Sequence, residues 1–148
     1  MDMTDLQKSA LIGRLVAENC SCVISNGNEI YVGRERGVAD LFRLLKENPG
    51  LLAGAFVADK VVGKGAAAIM VSGGVAEVHA LVISRPALEL VQRSGVTVSY
   101  GELVGNIINR NRTGICPVEA LCADCHTAAE CLPLIEDFIS RQKRQASQ

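Results

Sequence analysis

Apolar and polar positions change their spacing several times along the chain. Stretches with helical spacing alternate with short, continuous apolar runs that are typical of buried strands. In chain order, the spacing predicts helix 5–18, strands 20–25 and 29–33, helix 37–47, strand 51–58, helix 61–71, strand 75–84, helix 86–93, strand 96–99, a short helix from 116 and helix 132–141. This order predicts one three-layer α/β/α domain over residues 1–148, with a five-stranded mixed sheet that contains an N-terminal hairpin.

Local signals support the boundaries in the first half of the chain. Thr4 with Gln7 has the form of a capping box at the start of the first helix. The dipeptide Asn26-Gly27 supplies the positive φ angles of a tight hairpin turn, and Pro49 stops the second helix. The run 51–58 is short and uniformly apolar, so we expect a central strand that is covered on both faces.

Boundaries in the second half of the chain depend on glycine, proline and capping signals. Ser72-Gly73-Gly74 ends the small-residue helix, because glycine can take the left-handed conformation there. The segment 100–114 has no clear pattern and is predicted to be a loop, whose polar part at 106–112 wraps the domain. Thr127 with Glu130 forms a second capping box before the last helix, and the polar tail 143–148 is expected to fray.

Composition and charge narrow the class of protein. Aromatic residues make up 3% of the chain and tryptophan is absent, so the core must be aliphatic. The net charge is -1 and few rings are present to stack on bases, which argues against a nucleic-acid partner. The first residues do not resemble an export signal, and no run is long enough to span a membrane. We therefore expect a cytoplasmic protein whose six cysteines are reduced.

Three separated segments carry a resemblance to a known family. They are Gly37-Val38 at the start of the second helix, residues 59–68 (DKVVGKGAAA) and residues 114–119 (GICPVE). With the order of helices and strands, they make the chain similar to the uncharacterised family called domain of unknown function 1893, over most of residues 20–120. The resemblance implies a cytidine-deaminase-like fold, but a fold alone implies no activity.

The chain departs from true cytidine deaminases at the zinc site. Their zinc requires a His or Cys with a nearby Glu on one helix, and a Pro-Cys-x-x-Cys pair on the next. The second helix offers Asp40 but no thiol or imidazole, and the next helix begins with Gly63-Lys64-Gly65-Ala66. Zinc-dependent deamination is therefore not expected.

Cys116 is the first candidate for chemistry. It directly precedes Pro117 at the start of a short helix, where backbone amides and the helix dipole lower a thiol pKa and favour a nucleophilic thiolate. Glu119, three residues further, is a candidate acid–base group or a capping partner. The alternative for Cys116 is a small buried residue that happens to begin a helix.

The cysteines near the C-terminus offer a metal alternative. Cys116, Cys122, Cys125 and Cys131 are candidate ligands for zinc or an iron–sulfur cluster, with His126 beside them. Only the pair at 122 and 125 has a familiar ligand spacing. Three thiols converge if the chain turns back at 124–127, although the same spacing also suits an apolar helix face. Bound metal is the less favoured interpretation.

A further group of residues could bind a ligand. Gly63, Lys64 and Gly65 could present backbone amides and an ammonium group to a phosphate or a carboxylate. Asp59 could orient that ligand or make a turn, and Asn111 is another candidate in the polar segment. The alternative, which we favour, is that the glycines permit a tight turn from strand to helix.

Glu77 and His79 lie two residues apart and therefore share one face of their strand. A carboxylate and an imidazole on one face could meet one substrate, with His79 as a candidate catalytic residue. A hydrogen-bonded core histidine is the favoured alternative. Cys20 and Cys22 share a face of an early strand, where we expect core packing.

Three functional hypotheses follow from these residues. The first is a small-molecule-binding enzyme or former enzyme, of hydrolase or transferase type, with Cys116 as nucleophile, Glu119 or His79 as proton carrier and Lys64 as anion holder. The second is a metal- or redox-responsive binding module that uses the C-terminal cysteines. The third is an inert domain that binds a ligand or forms a homo-oligomer through a sheet edge.

Overall fold

The computed structural model describes residues 3–35, 38–109 and 111–146. Within these residues the elements are, in chain order, α1 (Asp5–Ala17), β1 (Cys22–Asn26), β2 (Glu29–Gly33), α2 (Ala39–Glu47), α3 (Pro49–Leu52), β3 (Phe56–Val62), α4 (Lys64–Gly73), β4 (Glu77–Ser84), α5 (Arg85–Arg93), β5 (Thr97–Val104), α6 (Pro117–Cys122) and α7 (Ala128–Ala146). Gly37 and Arg110, which belong to the predicted second helix and to the polar segment, lie outside the described residues.

The five strands form one mixed sheet in the order β2-β1-β3-β4-β5. β1 pairs antiparallel with both β2 and β3, whereas β3, β4 and β5 are parallel. This confirms the predicted five-stranded mixed sheet with an N-terminal hairpin. The carboxyl ends of the three parallel strands meet at one edge of the sheet, which is where ligands bind in open α/β sheets.

Helices lie on both faces of the sheet because successive side chains of β1 and β3 point to opposite sides. Val23 of β1 and Phe56 of β3 belong to a small buried cluster with Leu11 and Leu15 of α1. Ile24 belongs to a second, larger cluster that contains buried residues of every other helix. The buried side chains of the larger cluster are aliphatic apart from Phe42, Met70 and the cysteines, as the composition predicts.

The hairpin is confirmed, but its turn lies one residue later than predicted. Asn26 pairs with Glu29, so the two turn residues are Gly27 and Asn28. Only Gly27 has a positive φ, at 61°, so the turn needs one glycine rather than an Asn-Gly pair. The Asn26 side-chain amide instead donates to the carbonyls of residues 50, 51 and 53, at 3.0, 3.0 and 2.8 Å. These hydrogen bonds hold the short helix α3 against the hairpin turn.

The predicted strand 51–58 is wrong in its bounds. Residues 49–52 form the short helix α3, because Pro49 at its first position suits a helix start. Gly54, with φ 77°, then turns the chain into β3, which extends to Val62 and shortens the predicted helix 61–71 at its start. The prediction that this strand is central in the sheet is confirmed.

Two later predictions also need correction. The strand predicted at 96–99 continues to residue 104, because parallel pairing with β4 satisfies the backbone hydrogen bonds of residues 100–104. Most side chains of this strand are exposed and show no alternation of apolar and polar residues, so the sequence did not indicate its full length. The last helix begins at Ala128, directly after the Thr127 capping box, rather than at 132. The helix continues to residue 146, so the prediction that the tail frays from residue 143 is wrong for residues 143–146. Residues 147 and 148 lie outside the described part of the chain. Among the described helices, none is long and apolar enough to cross a membrane.

Candidate functional site

The carboxyl ends of β3 and β4 meet α6 at the side chain of Glu119. This residue is 2% exposed, and its Oε1 accepts hydrogen bonds from the Lys64 amide at 2.7 Å and from the Ser84 hydroxyl at 2.8 Å. Its Oε2 accepts from the Ile107 amide. One buried carboxylate therefore joins the starts of α4 and α5, the segment 105–115, and α6.

Lys64 connects α4 to the other end of α6. Its ammonium group is buried, and Nζ donates to the carbonyl oxygens of Ala123 at 3.2 Å and Cys125 at 2.6 Å. A cation at the C-terminal end of a helix also interacts favourably with the helix dipole. The amide of Lys64 does hold a carboxylate, as the sequence allows, but this carboxylate belongs to Glu119 of the same chain.

The two glycines around Lys64 permit close packing. A Cβ at Gly65 would lie 2.3 Å from Cγ1 of Val118 in α6, and a Cβ at Gly63 would lie 3.2 Å from Cγ1 of Ile107. Neither glycine is needed for a positive φ. The Gly63-Lys64-Gly65 segment is thus the surface on which α6 and Ile107 dock.

Cys116 lies at the N-cap of α6, as predicted, and its side chain is half-buried against the larger core cluster. Its backbone amide donates to the Ile107 carbonyl at 2.8 Å. Among the described residues, no hydrogen bond joins its Sγ to Glu119 or His79. Cys116 and Glu119 are therefore close in the sequence, but their side chains are not joined by a hydrogen bond. Asn111 lies exposed in the segment that follows β5.

His79 occupies a different part of the sheet. Its Nδ1 lies 2.7 Å from the Ser99 hydroxyl on β5, and partial burial lowers its pKa, against the opposing effect of Glu77. Glu77 is paired with Lys8 of α1 at 2.8 Å. His79 precedes Ser84 by five residues, roughly 16 Å along a strand, so it is not joined to the Glu119 site.

Three of the four C-terminal cysteines converge. Cys122 and Cys131 are fully buried and Cys125, in the turn between α6 and α7, is half-buried. The Cys122 and Cys131 side chains interact, and this interaction lowers the pKa of Cys122 and raises that of Cys131. Burial raises the pKa of Cys125 to about 11, and its interaction with Cys131 adds to this rise. The Lys64 ammonium lowers the pKa of all three thiols by stabilising their thiolates.

The arrangement of these thiols differs from a metal site. Cys116 does not join the other three cysteines, and His126 is exposed, with its carbonyl accepting from Arg93 at 3.1 Å. Within the described residues, no group of three or more Cys, His, Asp or Glu side chains is arranged to hold a metal ion. All six cysteines are free thiols.

Asp59, a candidate ligand-orienting or turn residue in the sequence analysis, lies in a buried acidic group beside β1 that the sequence did not predict. Asp59 is 7% exposed, and burial raises its pKa to about 7. It faces Cys22, whose own pKa is raised by burial and by the nearby Asp59 and Asp40. Asp40 is also buried and accepts from Arg43 at 2.9 Å. A charged residue in the apolar run of β3 was the only available signal.

The fold and these contacts define a mixed α/β domain with a five-stranded open sheet, whose parallel strands end at a buried carboxylate. Residues 11–139 match the family described as "Domain of unknown function (DUF1893)", and the chain belongs to this family. It is similar to a DUF1893 family protein from Thermotoga maritima with a crystal structure, at 28% sequence identity and a TM-score of 0.82. That similarity covers 93% of this chain and 92% of the other. No curated protein matches.

Proposed function

We propose that the protein is a redox-responsive module that reversibly forms a disulfide bond in the cluster of Cys122, Cys125 and Cys131. The observation that supports this proposal is that Cys131 of α7 lies near Cys122 and Cys125, close enough for its side chain to shift the pKa of both. Neighbouring thiols need only limited movements to reach the roughly 2 Å sulfur–sulfur distance of a disulfide. The bond would link the end of α6 to the first turn of α7.

The reaction is a two-electron oxidation. Two protein thiols lose two protons and two electrons, which reduce a low-molecular-weight disulfide such as glutathione disulfide to two thiols. In a reducing compartment such as the cytoplasm, which we propose for this protein, the cluster is in its thiol form at rest. The Lys64 ammonium links the change to the rest of the molecule, because it is anchored on the carbonyl of Cys125.

The hypothesis of a Cys116 nucleophile has weaker support. Both oxygens of Glu119 are occupied by backbone and hydroxyl donors, so this carboxylate has a structural role in the described state. Lys64 is directed towards α6 rather than towards an open cleft, and His79 lies on another part of the sheet. In the thiol cluster, by contrast, three side chains of one reactive type influence one another's pKa.

The cytidine-deaminase-like fold is also part of this proposal. The order of elements, with an antiparallel hairpin followed by three parallel strands, supports it. At the position where the resemblance places the deaminase cysteine pair, α4 begins with Lys64 and Gly65, and Val118 packs against that start. On this proposal, the scaffold is used without its zinc chemistry.

Mass spectrometry of thiol states tests the proposed function. The reduced protein is equilibrated in glutathione buffers of increasing oxidation, quenched by alkylation and digested. We expect a disulfide that contains Cys131, with Cys20, Cys22 and Cys116 still alkylated as thiols. A Cys20→Ser variant, altered in the separate α1 cluster, is the matched control and should oxidise like the parent. Six alkylated thiols in fully oxidised glutathione would refute the proposal.

A further inference from the structure

β5 forms one edge of the sheet and is exposed along most of its length. It pairs with β4 on one side only, so the backbone amides and carbonyls on its other side point away from the sheet. Among the described residues, no hydrogen bond joins these groups of residues 98–104 to another segment. Unpaired groups of this kind are a template to which a further strand can add.

β5 also lacks the features that protect edge strands. Such strands are usually short, or they carry lysine, proline or inward-pointing charges. β5 has eight residues, which extend over about 26 Å at the usual rise per residue. It contains one charged residue, Glu102, and no Lys, Arg or Pro. β2, the strand at the opposite edge, has only five residues, so β5 is the edge that is better suited to pair with another chain.

The side chains of β5 change their alternation at Gly101. Val98 and Leu103 both pack against the larger core cluster, although residues five positions apart in a regular strand point to opposite faces. The pairing with β4 skips Gly101, where the change occurs. Ser99 and Glu102, each next to one of these apolar residues, therefore share the other face of the sheet. Both are exposed there.

We infer that β5 pairs antiparallel with β5 of a second copy of this chain, around a two-fold axis between residues 100 and 101. This register pairs all eight residues of the strand. It places Val98 opposite Leu103 on the core face, and Ser99 opposite Glu102 on the exposed face. A shift by one residue would place core-facing side chains opposite exposed ones. The inference goes beyond the proposed redox function and does not depend on it.

Charge and shape favour a second copy as the occupant. The register keeps the two Glu102 carboxylates apart, because each lies opposite Ser99 of the second copy. The Ser99 hydroxyl lies 2.7 Å from Nδ1 of His79; when this nitrogen donates to the Ser99 oxygen, the hydroxyl hydrogen is left to donate to the carboxylate. Tyr100, 42% exposed, lies opposite Gly101, and an aromatic ring covers a glycine well in a cross-strand pair. The strand is thus complementary to itself, as a two-fold interface requires.

The association of the parent protein is the first measurement. Sedimentation equilibrium of the reduced full chain should show the mass rise from that of one chain to that of two as the concentration is raised through the micromolar range, as for a small interface. Hydrogen exchange at low and high concentration should show added protection within residues 97–104. A parent that stays monomeric, or protection that arises at β2 instead, would overturn the inference. A reducing agent excludes disulfide-linked dimers, so the outcome is separate from that of the proposed redox function.

Two substitutions of Ser99 test the register. Ser99→Glu places like charges opposite each other at two symmetric contacts and should raise the dimer Kd about tenfold, whereas Ser99→Lys faces Glu102 and should lower it about fivefold. Both variants lose the same contact with His79, so a change in the same direction for both would refute this register. The double variant Ser99→Glu/Glu102→Lys should restore the Kd of the parent.

The matched control for these variants is Ile30→Lys, which adds a charge at an exposed position of β2. It should leave the dimer Kd unchanged, and a loss of association in this variant would assign the interface to the other edge of the sheet. Circular dichroism melting of each variant checks that it is folded.

Discussion

Asp59 gives the sharpest test of the electrostatics of this fold. Its carboxyl group lies in the middle of β3 and is 7% exposed. It accepts hydrogen bonds from the backbone amides of the next two residues, and the Val61 amide lies 3.4 Å from Oδ1. Burial raises its pKa from 3.8 to about 7, against the lowering effect of those amides. The cost of burying the charge is therefore only partly compensated.

The sign of the effect on stability follows from linkage. The folded state binds the Asp59 proton more tightly than the unfolded state, so its contribution favours folding below pH 4 and is lost as pH rises towards 7. Each pH unit of this difference corresponds to about 1.4 kcal/mol, so the free energy of unfolding should fall by about 4 kcal/mol between pH 4 and pH 7 from this group. Above about pH 8, where Asp59 is deprotonated in the folded state too, the contribution is constant.

Urea unfolding of the parent and of Asp59→Asn at pH 4 to 8 measures this effect. The variant carries no charge at any pH, so we expect the stability of the variant relative to the parent to increase by about 4 kcal/mol across the range. Asp124→Asn, at an exposed position, is the matched control and should leave the pH dependence unchanged. Parallel curves for the parent and Asp59→Asn would show that Asp59 is not a desolvated acid in the folded state.

Three further substitutions test the packing around α4 and α6, with Gly13→Ala in α1 as a control. Glu119→Gln replaces one carboxylate oxygen, which accepts a hydrogen bond, with an NH2 group that cannot accept it. The free energy of unfolding, measured with urea, should therefore fall by about 3 kcal/mol. An unchanged midpoint would contradict the role of this carboxylate. Gly65→Ala places a Cβ 2.3 Å from Val118 and should cost about 2 kcal/mol by overpacking, whereas Gly13→Ala, with nothing within 4 Å, should stabilise α1 by about 0.5–1 kcal/mol. Equal effects of these two substitutions would contradict the close approach of α6. Gly74→Ala, at φ 79°, should lower the melting temperature by several degrees through about 1 kcal/mol of backbone strain.

Local signals in the sequence were sufficient where a boundary depends on neighbouring residues. The capping box of Thr4 and Gln7, the helix end at Gly74 and the helix start at Pro117 are all confirmed. These signals work because the hydrogen bond or the positive φ involves residues within a few positions of each other. They failed at residues 100–104, where the strand is formed only by pairing with β4.

The candidate site was predictable only as a set of residue types. The sequence indicated Cys116, Glu119 and Lys64 as residues of interest, and it allowed three C-terminal thiols to converge. It could not show that the Glu119 carboxylate accepts a hydrogen bond from the Lys64 amide, because these residues are 55 positions apart. It also could not separate Cys116 from the thiol cluster.

The sequence by itself therefore determined most element types, the aliphatic core and the five-stranded mixed sheet, because these follow from short-range periodicity and composition. The tertiary structure alone decided which side chains meet. Docking of α6 against Gly65 directs Glu119 to the strand ends, and the turn at 123–127 places Cys131 beside the other thiols. Contacts between distant residues depend on how whole elements pack, and a change of one residue in register would separate these groups.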